Sequence, residues 1–272
     1  MRQLIIRPGA IGDCILALPA LQYLRTAFDV GETEVWVPGP VVPLIQFAAK
    51  TSAIASIGLD LLGVGDIAPP EQLIARLRSF DSIISWYGAA RPEFRAAMQS
   101  LQLPFQFHCA LPESGTTVHA TDFFLSQVGA PLGLMPRIDV PEQVKRDSIV
   151  IHPFSGGRRK NWPLEKFNEL ASQLPLLVEW CAGPEEQLPG AHRFDNLLEL
   201  ATWLNGARLY IGNDSGISHL AAATGMPVLV LFGPTDPAIW APRGDNVSVM
   251  RSEPLQGLES AALLPEILRL LR

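Results

Sequence analysis

The chain opens on an unbroken apolar run, Leu4-Ile5-Ile6, which enters the turn Pro8-Gly9-Ala10-Ile11-Gly12 and continues into apolar residues at Ile15, Leu18, Leu21 and Leu24. A short apolar run followed by residues at helical spacing reads as strand, glycine turn and helix. A strand without polar alternation must be covered on both faces, which is the condition of a parallel sheet. The same pattern recurs at Ser148-Ile-Val-Ile-His152, with a turn from Pro153 to Gly157 and a helix from Pro163. This duplication restricts the chain to α/β architectures built twice over.

Further short runs at Val35–Val37, Ile54–Ile57 and Ile83–Trp86 are expected as strands, between helices at 41–50, 70–79, 92–101 and 119–129. Prolines and charges interrupt all periodicity from Pro136 to Asp147, which predicts a boundary there and two domains, 1–142 and 143–272. The second is expected to continue with strands at 176–180, 208–211, 228–232 and 247–250 and helices at 197–204 and 217–224. Its closing helix, 258–271, has apolar residues on nearly every face and is expected to pack between the domains. With 272 residues and 48% hydrophobic composition the chain has apolar surface enough for two such cores.

Charge and cysteine usage exclude several functions. Lys+Arg number 21 against 27 Asp+Glu, a net charge of −6, so the global basic field that non-specific nucleic-acid binding needs is missing. Cys14, Cys109 and Cys181 show neither CxxC nor zinc spacing, which predicts a reducing, cytoplasmic setting with no structural metal. The apolar run before Arg7 and Pro8 is too short for a signal-peptide core. The most apolar stretch, Leu220 to Phe232, is broken by Gly225 and Pro227 and is well short of the roughly 20 residues of a membrane span, so membrane contact is expected to be peripheral at most.

Neither glycine turn fits GxGxxG, and GxxxxGK[ST] is absent, so the usual dinucleotide and P-loop readings lose their support. What remains are strand-to-helix junctions, whose helix N-termini can hold a phosphate on backbone N–H groups. The clearest runs through Gly212-Asn213-Asp214-Ser215-Gly216-Ile217-Ser218-His219, where Ser215 and the amides beyond Gly216 can donate to a diphosphate. Asp214 reads equally as a helix cap, and His219 either reaches the same anion or packs in the core. A second junction offers Ser155, Gly156 and Gly157 as a nest-like loop beside Arg158, Arg159 and Lys160, the densest positive cluster in an acidic chain; a solvated surface triplet is the plainer alternative. Phe232-Gly-Pro-Thr-Asp-Pro237 and the carboxylates Glu185 and Glu186 lie after two further strand ends. In the first half, Asp13 at the mouth of the opening helix is either a favourable charge at a helix N-terminus or a base.

Taken together, Arg7-Pro-Gly-Ala-Ile-Gly-Asp13, His152-Pro-x-Ser-Gly with Lys160-Asn-Trp-Pro, Gly212-Asn-Asp-Ser-Gly-x-x-His-Leu-Ala-Ala and Phe232-Gly-Pro-Thr-Asp-Pro237 resemble glycosyltransferase family 9, the ADP-heptose:lipopolysaccharide heptosyltransferases. The resemblance runs from the first strand to about residue 242. It implies a GT-B fold, two Rossmann-like domains facing a cleft, the first taking a glycan or glycolipid acceptor and the second a nucleotide-sugar donor. It further implies inverting, metal-independent transfer of a sugar, heptose in this family, from an ADP-activated donor that is substrate rather than cofactor, at the cytoplasmic membrane face of a bacterium. Carried over by motif position, Asp13 is the general base and Ser155, Gly156 and Lys160 lie at the donor diphosphate. Asp214, Ser215, Gly216 and His219 form the sugar and phosphate corner. Glu185 is similar to the acidic residue that holds the ribose, with Glu186 as its substitute. Residues 1–142 carry 9 Lys+Arg against 13 Asp+Glu, which leaves open a smaller or less anionic acceptor, and a hexose nucleotide as donor. The alternative from another class is a catalytically silent nucleotide-sugar-binding module.

Overall fold

The computed structural model describes residues 1–27, 31–63 and 70–272. It divides into two compact units, Met1–Thr116 with Thr121–Leu132, and Thr117–Ala120 with Gly133–Arg272. Residues 136–147, read from sequence as the boundary, thus belong to the second unit, where Ile138 N–H donates to the Ala223 carbonyl at 3.0 Å.

The first unit runs β1 (Arg2–Ile6), α1 (Ile11–Thr26), β2 (Glu32–Val37), β3 (Lys50–Ala53), α2 (Glu71–Arg78), β4 (Ser82–Ser85), α3 (Pro92–Ser100), β5 (Phe105–Phe107) and α4 (Ala120–Gln127). Its five strands are parallel in the order β3-β2-β1-β4-β5, with Ile5 opposite Val35 on one side and Ile84 on the other. Leu4, Ile5 and Ile6 are fully buried, as the unbroken apolar run of a central strand covered on both faces requires. One face packs Leu4, Ile6 and Ile83 against Leu77, Phe94 and Met98. Each such side chain contributes about 1.5–3 kcal/mol by leaving water.

The second unit runs β6 (Ser148–His152), α5 (Leu164–Gln173), β7 (Leu177–Trp180), α6 (Leu197–Asn205), β8 (Leu209–Asn213), α7 (Gly216–Ala223), β9 (Val228–Phe232), α8 (Pro237–Trp240), β10 (Val247–Arg251) and α9 (Leu264–Leu270). These strands are also parallel, in the order β10-β9-β8-β6-β7, with Ile149 opposite Leu209 and Ile151 opposite Ile211. Strand order reverses between β1 and β4 in the first sheet and between β6 and β8 in the second. In doubly wound sheets, ligands bind beyond the carboxyl ends of strands at such switch points.

The elements depart from the sequence expectation in several places. The helix expected at 41–50 is a 3₁₀ turn at Gly39–Leu44, since Pro40 and Pro43 withhold the N–H groups a continuing α-helix needs. The strand expected at Ile54–Ile57 is a 3₁₀ turn, Ile54–Ser56; Ile54 and the following Ile57 tuck against the first core, while the polar Lys50–Ala53 pairs with β2 as an edge strand. Three-residue β5 was not foreseen. The helix expected at 258–271 is shortened to α9 behind a 3₁₀ turn at Ser260–Leu263, because Pro265 is tolerated only in a first helical turn. Leu263 and Ile267, both fully buried, join the core of the second unit's own sheet.

Candidate functional site

In the second unit, the candidate residues gather at the carboxyl ends of β6, β7 and β8. Asn213, the last residue of β8, is fully buried and organises the corner: its Oδ1 accepts from Trp162 N–H at 3.0 Å and its Nδ2 donates to the Pro153 carbonyl at 2.7 Å. The loop from Pro153 to Trp162 is thereby fastened to the next strand of the sheet. Within it Ser155 donates to Asn161 Oδ1 at 2.7 Å, and a 3₁₀ turn over Arg158–Lys160 lifts Arg158 and Arg159 into solvent and leaves Lys160 half-buried. Gly157 has an extended backbone, φ −128°, and Gly156 is not left-handed, so the alternating conformation of a nest is not formed. A Cβ at Gly156 would meet nothing within 4 Å; the loop presents open backbone there.

Lys160 and Asp214 come together: Nζ lies 2.7 Å from Oδ2, a charge contact made off the hydrogen-bond axis, with the Asp214 side chain only 6% exposed. Asp214 is therefore not the cap of α7. Ser215 is, accepting from Ser218 N–H at 3.4 Å. The Ser218 hydroxyl donates to the Asn213 carbonyl at 2.5 Å and meets the buried Tyr210 hydroxyl at 3.2 Å. Gly212 makes room for that ring, since a Cβ there would stand 2.4 Å from the Tyr210 hydroxyl oxygen. Gly216 opens α7, whose first amides have no acceptor within the helix.

His219, one turn into α7, is buried, and no hydrogen bond reaches its Nδ1. Burial lowers its pKa to about 4; Asp214 opposes that shift, while His119 and Lys160 reinforce it. The ring is neutral at pH 7 and can serve an anion as a hydrogen-bond donor, not as a cation. Positive charge at this corner comes from Lys160 and the exposed arginines.

At the end of β7 the two carboxylates separate. Glu186 turns inward, accepting from Gly183 N–H at 2.6 Å and meeting His152 Nε2 at 3.0 Å. Burial raises its pKa, but the His152 and Gly183 hydrogen bonds outweigh burial and hold it below the usual carboxylate range. Glu185 is exposed. Of the two candidates, Glu186 is committed to an internal strut and Glu185 faces outward.

Asp13 lies in the first unit, three residues into α1, at the switch point beyond β1. Its Oδ2 accepts from Ala10 N–H at 3.2 Å, and Gly9, at φ +121°, turns the chain so that the carboxylate lies over it. Asp13 thus has the capping role in place. The site residues that the sequence did not single out are Asn213, Ser218 and Tyr210, which hold the corner from behind. Among the described residues no group of three or more His, Cys, Asp or Glu could hold a metal ion, and no helix is long and apolar enough to cross a membrane.

The family model for glycosyltransferase family 9 (heptosyltransferase) matches residues 195–262, across α7 and the Phe232–Pro237 turn. Lipopolysaccharide heptosyltransferase 1 of Escherichia coli K12 is 32% identical over 125 residues, covering 40% of this chain and 39% of that protein. The lipopolysaccharide core heptosyltransferase OpsX of Haemophilus influenzae is 23% identical over 93% of this chain and 85% of its own length. The chain spans about a third to two-fifths of the length of the first curated heptosyltransferases it matches. Among solved structures, E. coli ADP-heptose lps heptosyltransferase II superposes with a TM-score of 0.76 at 18% identity, covering 100% of this chain and 98% of that one. E. coli heptosyltransferase WaaC with ADP-2-deoxy-2-fluoro heptose gives 0.68 at 19%, covering 99% of each. The two parallel α/β units thus share the GT-B fold of these heptosyltransferase structures, and residues 195–262 carry the similarity to glycosyltransferase family 9.

Proposed function

We propose that the protein is an inverting, metal-independent glycosyltransferase that moves heptose from an ADP-activated donor to a lipopolysaccharide-type glycan acceptor at the cytoplasmic membrane face. The second unit is the donor side and the first the acceptor side. The observation that carries this reading is the Lys160–Asp214 corner beyond β6 and β8, where a half-buried cation is oriented beside the first turn of α7 at the switch point of the sheet. The solved heptosyltransferase with an ADP-heptose analogue, on the same fold, supports the choice of donor.

In this reading Lys160 and the first amides of α7 take the charge of the departing nucleoside diphosphate, which is electrostatic preorganisation. Ser155 and the open backbone at Gly156 line the diphosphate, and Ser215, Gly216 and neutral His219 the sugar-phosphate corner. Glu185 accepts from the ribose hydroxyls, because Glu186 is occupied by His152. Asp13 removes the acceptor proton as the anomeric carbon is attacked from the face opposite the leaving group. The capping bond from Ala10 favours a second reading, a nucleotide-sugar-binding module in which Asp13 is only structural.

Calorimetric titration of ADP and ADP-heptose into the chain and its Lys160→Ala variant tests the donor site. A charged hydrogen bond to a diphosphate is worth about 1.5–3 kcal/mol, so the variant should bind roughly 10- to 100-fold more weakly. Equal affinity in a folded variant would return Lys160 to the solvated surface.

A further inference from the structure

Arg7 is a buried cation that the donor and acceptor chemistry leaves without a task. It follows β1 directly and is fully buried. Its Nη2 donates to the Asp13 carbonyl at 3.0 Å and its Nη1 to the Ala110 carbonyl at 3.1 Å, and the guanidinium stands 4.3 Å over the Phe124 ring. Its Nε, also buried, has no hydrogen-bond partner. Neither carbonyl brings a full negative charge, and an enclosed cation short of one acceptor is an expensive way to fill space; apolar side chains of similar volume commonly serve stability as well or better.

Burial lowers the Arg7 pKa, and the neighbouring Cys14 and Asp13 oppose that shift. Cys14 is held as a neutral thiol, its pKa pushed up to about 12 by burial, and its Sγ lies 3.9 Å from the Arg7 carbonyl oxygen. What the guanidinium holds of Asp13 is its backbone, Nη2 donating to the carbonyl of the residue whose carboxylate accepts from Ala10 N–H. We propose that Arg7 is a positioning residue for Asp13: by gripping the Asp13 backbone it fixes the first turn of α1 from behind and so keeps the carboxylate in place as a proton acceptor. This rests on the reading of Asp13 as the general base.

A double-mutant cycle with Arg7→Met and Asp13→Asn, measured as kcat and donor KM at equal folded fraction, tests it. Arg7→Met keeps the volume and removes the charge. It is expected to lower kcat by roughly 10²-fold, the scale of a misplaced reacting group, with donor KM unchanged. Arg7→Lys, which keeps the charge without the fork, should recover part of that loss and covers the case in which the Met variant fails to fold. In the Asp13→Asn background, Arg7→Met should cost nothing further. An Arg7→Met enzyme with undiminished kcat, or a loss that adds fully to that of Asp13→Asn, overturns the positioning role while leaving Asp13 as base. A fully active Asp13→Asn chain, or a parent chain without transfer activity, removes the base reading and the positioning role together.

Discussion

At the level of single residues, the groups that hold the site from behind are distinct from the groups proposed to meet a ligand. Asp13→Asn tests the base directly. Asn caps a helix about as well as Asp, so fold and donor affinity should be kept while turnover falls by roughly 10²–10⁴-fold. Full activity at saturating donor and acceptor would leave the base unassigned. For His219 the prediction concerns stability. Its folded pKa, about 4, lies below the ordinary histidine value, so on acidification the unfolded chain takes up the proton first. The stabilisation is complete above pH 6.5 and is lost as pH falls toward 4. The thermal midpoint should decline through that window and a His219→Gln variant should decline less; identical profiles would contradict a buried neutral imidazole. The inward carboxylate Glu186, held below the usual range by His152 and Gly183, loses its contribution at lower pH as it is protonated. Asp214, Ser215, His219 and Lys160 were legible in the sequence as motif positions. The Lys160–Asp214 pairing was not, because it depends on where Asn213 fastens a loop more than 50 residues earlier in the chain.

At the level of elements, legibility followed burial. Strands enclosed on both faces, β1, β6, β8 and β9, are unbroken apolar runs and stand out. Edge strand β3 is polar, and β5 is three residues long; neither has a periodicity to read. Prolines explain the other differences, Pro43 in the first unit and Pro265 in the last helix. Two glycines at the strand-to-helix junctions provide a paired test. Gly212→Ala would place a methyl group against the Tyr210 hydroxyl and disturb the Ser218 network behind α7, so it should cost about 1–3 kcal/mol in denaturant unfolding. Gly156→Ala meets open space, so its stability should stay within about 0.5 kcal/mol. Weaker ADP binding by that stable variant would place the diphosphate against the 155–157 backbone. Unchanged binding would move it away from that loop.

For the molecule as a whole, duplication of a strand-turn-helix unit produced two parallel sheets, each with its candidate residues beyond a switch point. Both sheets were legible because each buries its central strands completely. The division of the chain was less so: a stretch rich in proline and charge looks like a linker, but 136–147 lies along the second unit, anchored at Ile138. The charge for a leaving diphosphate is assigned to Lys160 and helix amides, so a chelator such as EDTA should leave transfer intact; loss restored by Mg²⁺ would reassign that charge to a metal. Heptose transfer from an ADP donor is checked by following ADP release from ADP-heptose with and without a lipopolysaccharide-type glycan acceptor. The expected result is acceptor-dependent ADP release with a heptosylated product of inverted anomeric configuration. Tight binding of ADP-heptose with no release in the presence of acceptor, or conversion of the free sugar nucleotide without transfer, would contradict it.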